Sequence, residues 1–174
     1  MYYRTSTVVT NKKMRIKDQK IERFLEELAS RSPTPGGGAV AALTGTIAAS
    51  LVEMVVNLTK TKEIKNLKTK VLKNLRIDLL KLADEDCKAF DEVMVTYKSK
   101  DKEEIKRALQ KAIDVPEKTM LLSNEVLKLA KIVLKKGNKN TFSDAKTAIY
   151  LAQAAIKSAG ENIRINQQSL AALA

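Results

Sequence analysis

The sequence predicts an all-α protein, a single antiparallel helical bundle of about five to six helices that occupies residues 1–174 as one domain. Apolar residues recur at spacings of three and four through most of the chain. Six glycines and three prolines are too few turn-forming residues for a β-sandwich or barrel. A length of 174 residues suffices for one ordinary domain. Residues 1–17 are expected to form a flexible or extended N-terminal arm.

A bend rich in proline and glycine separates the first two helices. A helix is predicted over residues 18–31, and it stops before the Pro-Thr-Pro-Gly-Gly-Gly segment at 33–38. The second helix should run to about residue 60. It carries a stripe of large apolar residues, namely Val40, Leu43, Ile47, Leu51, Met54 and Leu58. It also carries a row of small residues, namely Gly37, Ala41, Gly45 and Ala49. Both faces are expected to be buried, either at the centre of the bundle or at a subunit contact.

The third helix is predicted over residues 64–98, where one position breaks an apolar stripe. The stripe consists of Ile64, Leu67, Val71, Leu75, Leu79, Leu82, Phe90, Val93 and Tyr97. Between Leu82 and Phe90 the same helical phase falls on Asp86, whereas Asp84 lies off that line. A buried carboxylate without a partner is unfavourable, or has a raised pKa, so Asp86 is a candidate for chemistry.

The remaining sequence predicts two more long helices. An apolar stripe keeps its phase from Ile105 through Pro116, which indicates one long helix with a kink. Gly137 should end it. The last helix should begin near 141–144, where Thr141 and Asp144 have capping-box spacing and Ser143 is an alternative cap. Its inner face changes from alanines to Asn162 and Asn166.

Composition excludes several classes of function. The chain has no histidine, so it supplies no Ser-His-Asp triad, no Cys-His pair and no histidine metal ligand. Its single cysteine, Cys87, forms no internal disulfide, which favours a reducing, cytoplasmic location. The sequence predicts no export signal and no membrane span. A net charge of +12 permits nucleic-acid binding, but the lysines are spread over several helices and only 4% of residues are aromatic, so that function is not expected.

Three polar features interrupt the regular pattern, and each has a purely structural alternative. The glycines at 36–38 can form a tight corner, or their backbone N–H groups can bind an anion or a carbonyl. Asp86 can pair with a lysine of a neighbouring helix, and Asn162 and Asn166 can satisfy each other. Their coincidence in one small bundle favours a functional site.

These residues resemble the cyclodeaminase/cyclohydrolase family. The likeness rests on three segments: residues 24–42, which contain Pro-Thr-Pro-Gly-Gly-Gly; residues 82–90, Leu-Ala-Asp-Glu-Asp-Cys-Lys-Ala-Phe; and Ser143-Asp144 followed by Asn162-Ile-Arg-Ile-Asn166. The segments are in order and span nearly the whole chain. The resemblance implies an all-helical, homodimeric enzyme whose substrate is a tetrahydrofolate derivative, with no metal.

The family's best-known reaction closes 5-formiminotetrahydrofolate to 5,10-methenyltetrahydrofolate and releases ammonia. The resemblance therefore implies, as the first expectation, that this protein is a C–N lyase of this type. The alternative is a methenyltetrahydrofolate cyclohydrolase, which adds water and gives 10-formyltetrahydrofolate. Alternatives of another class are a catalytically silent scaffold and a basic binding bundle.

Both reactions need proton transfer at nitrogen or oxygen, and a carboxylate is the natural carrier in a chain without histidine. Asp86 is the expected catalytic residue and Asp84 the second choice. The expected substrate-binding residues are Gly36, Gly37, Gly38, Ser143, Asp144, Asn162 and Asn166.

Overall fold

The helical periodicity of the sequence is realised in six α-helices over the described part of the chain. The structure is a computed structural model that describes residues 14–65 and 69–173. The helices are α1 (Ile21–Leu28), α2 (Gly37–Asn57), α3 (Lys62–Lys65), α4 (Thr69–Ser99), α5 (Lys102–Lys136) and α6 (Phe142–Ala171). Short 3-10 turns at Ile16–Asp18 and Lys139–Thr141 precede α1 and α6. The predicted all-α class is confirmed.

Four of these helices, α2, α4, α5 and α6, form an up-down-up-down bundle. The first turn of α2 lies against the middle of α4, and the start of α5 lies against the end of α6. α2 therefore packs between α4 and α6, and it meets α5 across the diagonal. That diagonal contact is close because Gly45 has no side chain: a Cβ there would lie 2.7 Å from Ser123 Oγ.

Most predicted boundaries differ from the observed ones by a few residues. The first helix is shorter than the expected 18–31. The expected third helix, 64–98, corresponds to α3 and α4, between which residues 66–68 lie outside the described part. Residues 1–13 of the expected arm at 1–17 lie outside the described part of the chain. The last residues of this arm are held in place, because the backbone N–H of Ile16 donates to Asp84 Oδ1 on α4.

The two ends around residue 140 test the predicted cap chemistry. Gly137 ends α5 as predicted, and a Cβ on it would overlap the carbonyl oxygen of Val133. The predicted capping box of α6 is wrong. Thr141 occupies the N-cap position, but its hydroxyl donates to the carbonyl of Asn138 at 2.8 Å instead of accepting from the helix. The preceding 3-10 turn explains this, since it places that carbonyl within reach.

Within the single chain, helix α2 buries the face of small residues and leaves the face of large apolar residues partly exposed, so burial of the second face at a subunit contact stays a prediction. The small residues Ala41, Gly45 and Ala49 are buried between the other helices. The large apolar stripe lies on the outside, where Ile47 is 47% exposed and Leu58 is 51% exposed. α2 is long and apolar enough to cross a membrane by length and composition, yet more than half of its apolar window is buried in the bundle. In this chain, α2 is thus a core helix with an apolar outer face.

The lengths of the helices create the space for a site. α2 has 21 residues, whereas α4, α5 and α6 have 31, 35 and 30. At 1.5 Å per residue, α2 is about 31 Å long and the others about 45 to 52 Å. Beyond the first turn of α2 the bundle continues with three helices only. A second apolar cluster, formed by Val93, Ile105, Ala108 and Leu109, joins these three near their far ends.

Candidate active site

A cavity of about 380 Å³ occupies the position that α2 leaves vacant. Its wall comes from the second half of α4, the first half of α5, the last turns of α6 and the loop that leads into α2. The lining residues are Pro33, Thr34, Gly36, Gly37, Gly38, Asp86, Ala89, Phe90, Val93, Met94, Tyr97, Leu109, Ala112, Asn162, Ile165, Asn166 and Ser169. This combination of an apolar body with a few polar groups is typical of a small-molecule site.

Asp86 lies at the inner end of this cavity, against the N-terminus of α2. Its carboxylate occupies the space next to Gly38, where a Cβ would overlap Oδ1 and would lie 2.5 Å from Cγ. Gly38 is therefore the one glycine of the predicted triplet whose missing side chain the site requires. A Cβ on Gly36 or Gly37 would meet its nearest neighbour at 3.4 Å or 3.8 Å, an ordinary contact.

The surroundings of Asp86 favour its protonated form. Burial raises the pKa of Asp86 from its ordinary value of 3.8 to about 6, and a hydrogen bond from the backbone N–H of Ala39 opposes that shift. Ala39 is in the first turn of α2, where the N–H groups have no partner within the helix. A carboxyl group with a pKa about 6 is able both to accept and to donate a proton near neutral pH.

The two asparagines of α6 reach the same cavity, and both use their amide nitrogen on backbone carbonyls. Asn162 Nδ2 donates to the carbonyl of Ser158 at 2.8 Å. Asn166 Nδ2 donates to the carbonyl of Ala112 on α5 at 2.7 Å. Their Oδ1 atoms are hydrogen-bond acceptors. The α2 N-terminus adds backbone N–H donors at Gly37 and Gly38.

The structure does not bring all predicted site residues together. Asp84 is outside the cavity wall, and its carboxylate accepts from Ile16 at 2.6 Å, which fastens the segment before α1 to α4. Ser143 and Asp144 are at the start of α6, about 28 Å from Asn162 along the helix. Within one chain they do not line the cavity that Asp86 and the asparagines share.

Sequence reasoning did not assign a role to the apolar wall of the cavity. Phe90, Met94 and Tyr97 extend the wall from Asp86 over about 16 Å of α4. Phe90 and Tyr97 belong to the predicted stripe of this helix. The signal that Phe90 and Tyr97 face a cavity was the start of α2 at Gly37, which lies beside Asp86 and leaves the following turns of α4 uncovered.

Both the sequence and the fold match known proteins. The family model described as formiminotransferase-cyclodeaminase matches residues 20–172. A methenyltetrahydrofolate cyclohydrolase from Methylorubrum extorquens is 41% identical over 170 residues, which cover 88% of this chain and 81% of that protein. The fold matches the crystal structure of formiminotetrahydrofolate cyclodeaminase from Thermotoga maritima with a TM-score of 0.83 and 31% identity, over 89% of this chain and 81% of that chain.

Proposed function

Since this chain belongs to the formiminotransferase-cyclodeaminase family and is a folate one-carbon enzyme of the cyclodeaminase/cyclohydrolase type, we propose that it hydrolyses 5,10-methenyltetrahydrofolate to 10-formyltetrahydrofolate. One observation carries the proposal: Asp86 is the only charged side chain among the described residues that line the cavity. The methenyl bridge carries a positive charge, which a lone, partly buried carboxylate attracts. The 41% identity to a cyclohydrolase, against 31% to a cyclodeaminase, supports water as the co-substrate.

In this reaction Asp86 acts first as a general base and then as a general acid. Its carboxylate takes a proton from a water molecule as the oxygen bonds to the methenyl carbon, which becomes tetrahedral. The bond between that carbon and N5 then breaks, and Asp86 returns its proton to N5. The hydroxyl proton of the adduct is released as the formyl C=O forms on N10. A pKa about 6 suits both halves of this cycle.

The polar end of the cavity fits the pterin. Asn162 and Asn166 offer acceptors to the N–H groups on the pyrimidine edge, and the N–H groups of Gly37 and Gly38 offer donors to a ring oxygen or nitrogen. The rest of the molecule would lie along Phe90 and Met94, where an aromatic ring stacks and excludes water.

The second candidate is the cyclodeaminase reaction, which the TM-score of 0.83 to such an enzyme supports. There N10 attacks the formimino carbon, Asp86 takes the N10 proton and passes it to the departing amine, and ammonia leaves. The two reactions share the position of the base and differ in which bond to the central carbon breaks.

Absorbance of the methenyl species separates the two functions. With purified protein and 5,10-methenyltetrahydrofolate, a cyclohydrolase consumes the absorbing species, whereas with 5-formiminotetrahydrofolate a cyclodeaminase produces it and ammonia together. Asp86→Asn should abolish most turnover while the helical circular dichroism remains. Full activity in that variant would remove Asp86 from the mechanism, and inertness of the wild type toward both compounds would refute the proposed function.

We also propose that the enzyme is a homodimer that pairs through the outer face of α2, the stripe from Val40 to Leu58. α2 carries a single charged residue, Glu53, and that residue is paired with Arg76 at 2.9 Å. An apolar surface without a free charge suits an identical surface better than a charged partner. α2 with its two flanking helices presents a face of about 31 Å by 30 Å, or about 930 Å², which is large enough for the ~800 Å² that each partner of a stable complex contributes.

Such a dimer gives the start of α6 a place in the site. If the two-fold axis is perpendicular to α2 near its middle, the two α2 helices are antiparallel, and the far end of the partner lies over the open side of the cavity. Ser143 of the partner subunit and Asp144 of the partner subunit then approach the cavity that holds Asp86. This arrangement supports the binding role predicted for them, although they lie about 28 Å from Asn162 in their own chain.

A further inference from the structure

The amide of Asn166 satisfies a backbone carbonyl that Pro116 leaves without a partner. Pro116 is buried inside α5 and has no backbone N–H, so the carbonyl four residues earlier, that of Ala112, receives no hydrogen bond from position 116. Asn166 Nδ2 donates to this carbonyl at 2.7 Å from the neighbouring helix α6. The two residues are 54 positions apart in the chain, so tertiary packing alone brings them together.

This bond fixes which way the amide faces. If the amide were flipped, Asn166 Oδ1 and the carbonyl oxygen of Ala112 would be two acceptors at 2.7 Å, an arrangement that repels. The nitrogen is therefore held on α5, and the oxygen is the atom left for a ligand in the cavity that Asn166 lines. In a helix without a proline, the same carbonyl would already accept from the backbone N–H four residues later, so its bond to Asn166 would stabilise less and the orientation of the amide would be held less strongly.

We propose that Pro116 is a positioning residue for Asn166: by leaving the Ala112 carbonyl free, it makes Asn166 an obligate hydrogen-bond acceptor toward the substrate. Asn166 thereby selects an N–H donor on the bound molecule and disfavours an acceptor at the same place. That the donor is the N–H edge of a pterin rests on the proposed function. The coupling between positions 116 and 166 does not.

A double-mutant cycle on melting temperature tests the coupling. Asn166→Leu removes the donor with little change of shape, so the Ala112 carbonyl loses its partner and Tm should fall by about 5 °C. In the Pro116→Ala background a backbone N–H is available to that carbonyl, and the same replacement should lower Tm by about 1 °C or less. Equal losses of Tm in the two backgrounds would overturn the proposal.

Asn162→Leu is the matched control. In the wild type, Asn162 Nδ2 donates to the carbonyl of Ser158 one turn earlier in the same helix, and that carbonyl already accepts a hydrogen bond within the helix. The control should therefore cost the same small loss of Tm with Pro116 or with alanine at 116. If the loss of Tm caused by Asn162→Leu is also smaller in the Pro116→Ala background, position 116 affects α6 as a whole. That result would overturn the specific link between Pro116 and Asn166.

Kinetics of Pro116→Ala supply a readout that a purely structural role would not move. Pro116 does not line the cavity. With the carbonyl satisfied by alanine, the amide of Asn166 is held less strongly and the binding-competent orientation is less populated, so KM should rise by up to about twofold while kcat is unchanged. An unchanged KM in a variant whose Tm cycle shows the coupling would overturn the assigned role in recognition. Lack of any folate turnover by the wild type would instead refute the proposed function and leave the Tm cycle to judge the coupling.

Discussion

Asp86→Asn replaces the buried carboxylate by a neutral amide of the same shape, and it should make the protein more stable at alkaline pH while removing activity. Burial raises the pKa of Asp86 to about 6 from 3.8, so the folded state holds its carboxyl proton up to a higher pH than the unfolded state does. A difference of about two pKa units corresponds to about 2 to 3 kcal/mol.

The sign of the effect follows from proton binding. Between about pH 4 and pH 6 the folded state binds more protons than the unfolded state at this group, so its contribution to the free energy of unfolding falls as the pH rises. Below that window both states are protonated and the penalty is absent, and above it the full penalty applies. The amide of the variant does not titrate, so the variant escapes the penalty.

Urea denaturation followed by far-ultraviolet circular dichroism measures this difference. At pH 8 the variant should exceed the wild type by about 2 to 3 kcal/mol, and at pH 4 by less than about 1 kcal/mol. Asp91→Asn, at an exposed position of the same helix, controls for the loss of one negative charge. The reasoning is refuted if Asp86→Asn is less stable than the wild type at pH 8, or if both proteins depend on pH in the same way.

The remaining predictions concern the glycines, the dimer and the pH profile. Gly38→Ala should reduce kcat/KM at least about 100-fold, because a Cβ would displace the Asp86 carboxylate by more than 1 Å. The control is Gly160→Ala, where a Cβ meets nothing within 4 Å; this variant should keep its activity and have a Tm about 2 °C higher. Activity near wild type in Gly38→Ala would contradict the assigned seat of the carboxylate. Ile47→Glu should convert the dimer to monomers in light scattering and reduce turnover, whereas Leu121→Glu, 62% exposed on α5, should change neither. A monomeric wild type, or a dimeric Ile47→Glu, would rule out this interface. For the hydrolysis, kcat/KM should fall tenfold per pH unit below about pH 6, as Asp86 becomes protonated; a flat profile from pH 5 to pH 8 would exclude it as the base.

Much of the fold was predictable because helices are encoded locally. The spacing of apolar residues identified each long helix, and α5 runs through Pro116 in one phase, as expected. Helix ends were less predictable. Thr141 and Asp144 have the spacing of a capping box, but the 3-10 turn before α6 gives the threonine hydroxyl a different partner in Asn138. Such a choice depends on the path of the chain outside the motif.

The candidate site was predictable in part, through the positions that break a regular pattern. Asp86 was identified because a charge occupied an apolar phase, and Asn162 and Asn166 because amides followed alanines on an inner face. Asp84 carries the same carboxyl side chain only two residues away, yet it binds the backbone N–H of Ile16 and lies outside the cavity. Helical phase separates these two roles, since residues two apart point to different sides of a helix.

Taken alone, the sequence determined the helical class, the inward phase of Asp86 and the family to which the chain belongs, because each of these depends on residues that are near one another or on a pattern of identities. Only the tertiary structure decided that α2 stops short of its three neighbours, so that a cavity opens where Asp86 meets Gly38. It also decided that the large stripe of α2 faces outward, and that Asn166 serves the carbonyl left by Pro116. The physical reason is that these features join groups from different helices, and relative helix length, burial and hydrogen-bond pairing across helices exist only after the helices pack.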